Sequence, residues 1–250
     1  MIILKTAKEL DIMKESGKIC SRALKEAGKA VEPGVSTEKI DEVVRKYLKS
    51  QGATSSSLGY SGFPKNCCIS VNNEVIHGIP SADRIIKSGD IVSIDICSKF
   101  KGYHTDNAYT FECGDVSENA KNLLKATKES LFEGIKVAKA GNRIGDIGHA
   151  VESYVKAHGY SVVRDFVGHG VGVELHEDPS VPNYGLQGHG PRLMPGMTIA
   201  IEPMINEGSG KVSVLKDEWT VCTLDGKLSA HFEHTVAITP NGPVILTDPS

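Results

Sequence analysis

Long apolar runs, a targeting signal, paired cysteines and excess charge are all missing from this 250-residue sequence. No segment approaches the roughly 18 consecutive apolar residues that a membrane-spanning helix requires, which excludes an integral helical membrane protein. The opening residues, Met-Ile-Ile-Leu-Lys-Thr, place no charged region before a long apolar stretch, so they do not read as a secretory signal. Cysteine is sparse: six residues, at 20, 67, 68, 97, 113 and 222, with no C-x-x-C pair. In a chain of this size that pattern excludes a disulfide scaffold and predicts a reduced, cytoplasmic protein. The formal net charge of -3 argues against nucleic acid or an anionic membrane as principal partner.

What is present is a globular composition, 40% hydrophobic and 24% charged, in a chain long enough to bury roughly three quarters of its unfolded surface. Apolar residues at helical spacing (Leu10, Met13, Ile19, Leu24) predict a helix over Ala7 to Ala27, broken by Pro33-Gly34. Ser36-Thr37 caps a second helix carrying Ile40, Val43, Val44, Tyr47 and Leu48, closed by Gly52. Strands are expected over Cys67 to Val71, Ile91 to Cys97 and Asn107 to Phe111. The alternation then restarts, with helices over Ala120 to Ala138 and Arg143 to Ala157. Strands follow near Met197 to Ile201, Trp219 to Thr223 and His231 to Ile238, and the Gly- and Pro-rich stretch Glu177 to Pro195 reads as a loop.

The second half repeats the first. A shift of 107 in numbering brings Gly34 onto Gly141, Ile40 onto Ile147, Val44 onto Val151 and Gly52 onto Gly159, and without a gap Gly89 onto Gly196, Ile94 onto Ile201 and Asp95 onto Glu202. We therefore expect a single domain over 1–250, made of two pseudo-symmetric helix-helix-strand halves, about 1–115 and 116–250. If the halves face each other, Asp95 and Glu202 stand on opposite walls of one cleft.

Acids lie where acids are costly. Alternate strand residues share a face, so Ile91, Ser93, Asp95 and Cys97 oppose Val92, Ile94 and Ile96. Glu202 similarly opposes Ile199 and Ile201, and His231, Glu233 and Thr235 oppose Phe232 and Val236. A buried, unpaired carboxylate must protonate, find Arg or Lys, or bind a cation, and these faces carry no Arg or Lys. Asp106 follows Asp95 across a Lys-Gly-Tyr turn that can bring the two together. His169, between Gly168 and Gly170, adds an imidazole on a backbone pressed close to something. Four carboxylates and one imidazole suit two divalent ions such as Mn, Fe or Co. The absence of nearby cysteine ligands argues against a structural zinc site.

In this order the residues resemble the methionine aminopeptidases of the pita-bread fold, and specifically their first type. The matching strings are Asn-Asn-Glu-Val-Ile-His77-Gly-Ile-Pro, Ser-Ile-Asp95, Tyr-His-Thr-Asp106, Gly-His169-Gly-Val-Gly, Leu-His176-Glu-Asp-Pro, Ile-Glu202-Pro and Phe-Glu233-His-Thr. Only 33 positions separate His169 from Glu202, leaving no room for the helical insertion of the second type. The helices also begin too early for the zinc-binding extension of many eukaryotic relatives, so a bacterial-type enzyme is expected.

The resemblance implies an α+β fold with a central antiparallel sheet and helices on one face. It implies a metal-dependent hydrolase that removes the N-terminal methionine from nascent proteins, two divalent ions (Co, Mn or Fe) activating a water. Asp95 would hold one ion, Asp106 and Glu233 would bridge, and His169 and Glu202 would complete the second site. His77, His176 and Glu202 would be catalytic, with Glu202 moving the proton. Tyr60, Phe63, Cys68, His77, Leu175, His176 and Trp219 would line the methionine pocket. In the family, positions 57, 63 and 175 often hold Cys, Tyr and Phe, so Ser57, Phe63 and Leu175 alter the pocket's shape. A monovalent cation near Asn72, Glu74 and Ser229, transient ribosome docking, no nucleic-acid specificity, no membrane and a monomeric state complete the expectation. Two alternatives stay open: a peptidase cutting before proline on the same scaffold, and a metal-free binding protein.

Overall fold

The computed structural model describes residues 1–248; Pro249 and Ser250, the last two positions of the expected domain, lie outside the described residues. Helix α1 (Ala7–Lys29) starts at a capping box, in which Thr6 Oγ1 accepts from the Glu9 N–H and the Glu9 carboxylate accepts from the Thr6 N–H. It runs two residues past the expected end. Gly28 is a packing gap, not a stop, because a Cβ there would lie 2.2 Å from the Phe111 ring. Helix α2 (Thr37–Ser50) begins behind the Ser36 cap, as its sequence predicts. Helices α3 (Glu118–Val137) and α4 (Ile144–Ala157) repeat the arrangement in the second half.

The positions related by the 107-residue shift adopt matching conformations. Gly34 and Gly141 have φ of 92° and 96°, and Gly89 and Gly196 have 96° and 95°. This left-handed region favours glycine, which has no Cβ. Ile40, Val44 and Ile94 are buried together beneath α1 and α2. Their counterparts Ile147, Val151 and Ile201 are buried together beneath α3 and α4. Each half thus has its own apolar core, the first behind the strand that carries Asp95 and the second behind the strand that leads into Glu202, with Ile91 of the first half joining the second core.

In the first half, strands Ile91–Phe100 and Tyr103–Glu112 form a long hairpin, closed by Lys101 and Gly102, both with positive φ. Its register sets Cys97 opposite Asp106, and on the other side of Ile91–Phe100 the strand Cys68–Val71 sets Cys68 opposite Asp95. In the second half, Thr198–Ile201 lies between Gly168–Gly170 and His234–Thr239 in a five-stranded sheet. Two three-stranded sheets join the remainder, so the described residues form the expected antiparallel arrangement, divided by its hydrogen bonds into four sheets. The stretch expected as loop contains one strand, Glu177–Val181, which pairs with Gly168–Gly170.

One expected strand stops just short of its acid, as its bounds predict, and another breaks at its acid. Thr198–Ile201 ends before Glu202-Pro203, and the chain resumes as Met204–Asn206 in a different sheet. The expected strand His231 to Ile238 is two strands, Ser229–His231 and His234–Thr239, with Phe232 and Glu233 between them. Both glutamates therefore sit where the chain crosses between sheets. Asn183 Nδ2 donates to the Glu202 carbonyl at 2.9 Å, and the Glu233 N–H donates to the Ala108 carbonyl at 3.0 Å, so backbone freed from the ladders is still paired.

Candidate metal centre

Asp95, Asp106, His169, Glu202 and Glu233, drawn from both halves, line one cavity of about 350 Å³. The same cavity is lined by Tyr60, Phe63, Cys68, His77, Leu175, His176 and Trp219, so every side chain expected at the site or its pocket converges there. Asp106 and Glu233 are almost fully buried, at 4% and 2% exposure. Ligand atoms of Asp106, His169 and Glu233 lie within 4.8 Å of one another, as do those of Asp95, Cys97 and Asp106.

The glycines around His169 have a plain cause. A Cβ at Gly168 would lie 2.4 Å from the Ala200 carbonyl oxygen, and one at Gly170 would lie 2.3 Å from that of Asp178. The backbone is pressed against its neighbouring strands. His169 Nδ1 lies 2.8 Å from the Gly170 carbonyl oxygen, so that nitrogen carries the proton and donates. Nε2 then presents its lone pair, 3.7 Å from Asp106 and 3.6 Å from Glu202. A second nitrogen fixed by a backbone carbonyl is the usual arrangement of a metal-binding histidine.

Electrostatically the cluster is unfinished. Burial, followed by repulsion from Asp106, pushes the carboxyls of Asp95, Glu202 and Glu233 well above the ordinary range. Among the described residues no Lys or Arg pairs with any of these acids; the ionic neighbours of Glu202 are His169 and His231. Asp95 Oδ1, Glu233 Oε1 and His231 Nε2 are buried without a hydrogen-bond partner. Buried polar atoms are otherwise nearly always paired. Oxygen-rich donors, surplus negative charge and the orphaned oxygens of Asp95 and Glu233, two acids that line one cavity, fit divalent cations.

Two residues absent from the expected set belong to the site. His231, 2% exposed, points Nε2 toward Glu202 at 3.9 Å, and burial pulls its pKa down to about 4. Cys97 lines the cavity with its Sγ 3.1 Å from both carboxylate oxygens of Asp106. The expectation that no cysteine stands near the ligands is therefore corrected. Strand alternation had placed Cys97 beside Asp95 and His231 beside Glu233, and that was the available signal for both.

The rest of the cavity is aromatic. The Phe63 and Trp219 rings meet edge-on at 5.1 Å, and His77 meets Trp219 at 6.1 Å and Phe166 at 5.9 Å. His77 has φ of 60°, a strained conformation for a residue with a Cβ, and burial lowers its pKa. His176, at the mouth, has Nδ1 2.8 Å from the Tyr60 hydroxyl and its ring 4.1 Å from that of His169. The Asn72 carbonyl accepts from the Ser229 N–H at 2.9 Å, while the Glu74 carboxylate accepts from Val71 and pairs with Arg84.

A cavity that gathers four acids and a histidine with no Lys or Arg among its described partners fits a metal-dependent hydrolase, and the chain belongs to metallopeptidase family M24, whose model matches residues 11–240. It has the antiparallel α+β pita-bread architecture of that family. Over 247 residues, 99% of each chain, it is 52% identical to methionine aminopeptidase 1 of Bacillus subtilis (strain 168). Its structure is similar to that of methionine aminopeptidase from Thermotoga maritima, with a TM-score of 0.98, 44% identity and coverage of 99% and 100% of the two chains. It also resembles an Xaa-Pro dipeptidase from Bacillus anthracis, with a TM-score of 0.80, 25% identity and coverage of 98% of this chain and 62% of the other. The family is one of metal-dependent peptidases, and the carboxylate, histidine and cysteine groups here are positioned for metal.

Proposed function

We propose that this chain is a methionine aminopeptidase of the first type, which hydrolyses the bond after the N-terminal methionine of other polypeptides. The observation that carries the reading is that the acid cluster and the aromatic chamber are one cavity. Such a chamber suits a thioether side chain, which packs favourably against aromatic edges. Identity of 52% over the full length to a methionine aminopeptidase supports the same conclusion.

In this reading Asp95, Asp106 and Glu233 would hold one divalent ion, and Asp106, Glu233, His169 and Glu202 the other. Cobalt, manganese and iron all suit such donors. When bound, the ions supply Lewis acidity that polarises the first carbonyl and activates a water for attack on it. Glu202 carries the proton from that water toward the departing amine. His176 Nδ1 lies 2.8 Å from the Tyr60 hydroxyl; with the hydroxyl donating, the imidazole proton stands on Nε2 for donation to the developing oxyanion. His77, kept neutral by burial, lies toward the departing nitrogen. Phe63, Trp219, Leu175, Tyr60 and Cys68 enclose the methionine side chain.

The two halves act as one catalytic domain, because each contributes acids to the single cavity. A monovalent cation beside Asn72, Glu74 and Ser229, a monomeric state, and cytoplasmic action at the ribosome on emerging chains, with no nucleic-acid sequence being read, rest on the family resemblance. No described helix is long and apolar enough to cross a membrane. The test is hydrolysis of a Met-Ala-Ser peptide against an Xaa-Pro peptide, with manganese, iron or cobalt restored to metal-free protein. Release of methionine from the first alone supports the reading. Preferential cleavage before proline would replace it, and metal binding without turnover would leave a binding protein.

A further inference from the structure

Cys97 stands directly across the antiparallel ladder from Asp106 and two residues beyond Asp95, on the same strand face. Its Sγ is 3.1 Å from both Asp106 carboxylate oxygens. That sulfur, an Asp95 oxygen and an Asp106 oxygen lie within 4.8 Å of one another. An ion with bonds of about 2.3 Å to sulfur and about 2.1 Å to oxygen sets those donors about 3.1 Å apart at a right angle and about 3.6 Å at a tetrahedral one. The Cys97–Asp106 spacing is already that of adjacent ligands on one ion. Asp95 Oδ1 and Glu233 Oε1 belong to acids that line the same cavity and are buried without a partner; Glu233 is 2% exposed.

We propose that Cys97 is an additional donor to this centre, its sulfur binding the ion held by Asp95 and Asp106. The inference rests on the metal reading above. Coordination replaces the contact between the thiol and Asp106, and the thiol proton passes to solvent. A soft sulfur in an otherwise oxygen-rich set shifts selectivity toward thiophilic divalent ions such as zinc and cadmium. Cys68 opposite Asp95 also lines the cavity, but it is not one of the three converging donors. It serves as an internal control.

The experiment titrates metal-free protein with cobalt(II) and records the absorption spectrum. The native protein should give visible ligand-field bands and a near-ultraviolet sulfur-to-cobalt charge-transfer band. Cys97→Ser should keep the visible bands and lose the charge transfer, and Cys68→Ser should keep both. By calorimetry, zinc affinity should fall roughly 10–100-fold in Cys97→Ser, while manganese affinity changes less than about threefold, since manganese favours oxygen donors. Visible bands without charge transfer in the native protein overturn the proposal, a result that needs no variant to fold. Charge transfer that survives Cys97→Ser, or disappears with Cys68→Ser, overturns it as well. A native protein giving neither bands nor heat would sink the metal reading, and this inference with it.

Discussion

Asp106 and Thr235 are bonded to each other twice across the junction of the two halves. The Asp106 N–H donates to Thr235 Oγ1 at 2.8 Å, and Thr235 Oγ1 donates to the Asp106 carbonyl at 2.8 Å. One hydroxyl thus fixes the backbone of the central acid of the first half against the strand that follows Glu233. The cavity keeps its shape because strands from both halves are tied beside the acids.

Thr235→Val removes both bonds at a fully buried position and leaves an N–H and a carbonyl unsatisfied. The expected loss is about 1–3 kcal/mol of stability, read from denaturant midpoints. Divalent-ion affinity should weaken in parallel, because the Asp106 backbone loses its anchor. Unchanged affinity in a folded variant would show that the hairpin register alone positions Asp106.

Lys5 and Glu177 form an ion pair with side chains only 2% and 3% exposed. Glu177 also accepts from the Val173 and Glu174 N–H groups, so the pair ties the N-terminal segment to the turn bearing Leu175 and His176. Lys5→Met strands a buried carboxylate, at a cost of about 3–5 kcal/mol. Urea unfolding should show that loss, and the Michaelis constant for a Met-initiated peptide should rise as the turn loosens. A variant with native stability would mean the pair is solvated in solution.

Glu202→Gln tests the proton carrier. Glutamine copies the shape of the protonated acid and carries no charge, so the metal-free protein should fold with undiminished melting temperature. Turnover should fall by about 10²- to 10⁴-fold. Full activity in the variant would remove Glu202 from that role.

The pH dependence of stability should change sign with divalent metal. In metal-free protein Asp95, Glu202 and Glu233 have folded-state pKa values raised by burial and by Asp106. Each then contributes stability that is present at low pH and is lost as pH rises through the raised folded pKa. The buried His231, held down to about 4, acts oppositely, as do His77, His104, His176 and His234, which burial also lowers, until the pH is about one unit above the unfolded histidine value of about 6.5. From that pH upward the melting temperature of metal-free protein should therefore fall. Saturating manganese should abolish or reverse the slope, because it binds the ionised carboxylates and rewards folding. Thermal melts across this range with chelator or with manganese make the comparison; identical slopes would exclude a cation among these acids.

Much of the molecule was legible in the order of residues. The helices follow from apolar spacing and, for the second, from the cap at Ser36, which are local effects a linear pattern can carry. The repeat is legible because Gly34 and Gly141, or Gly89 and Gly196, must each supply the same left-handed turn before the same kind of element. The donor set is legible because unpaired acids beside apolar strand faces are too costly to lack a purpose.

Other features needed the chain folded. Glu202 reads as the residue after a strand and Glu233 as a member of a continuous one, yet each lies at a crossing between sheets, since only the meeting of the two halves frees those peptides from their ladders. Alternation put Cys97 on the acid face, but its contact with Asp106 depends on the register of a hairpin ten residues long on each side. The sequence by itself determined which side chains were available and on which face each would stand, because periodicity and chirality act over a few residues. Tertiary structure decided which of them share a cavity, because that depends on contacts between residues more than a hundred positions apart.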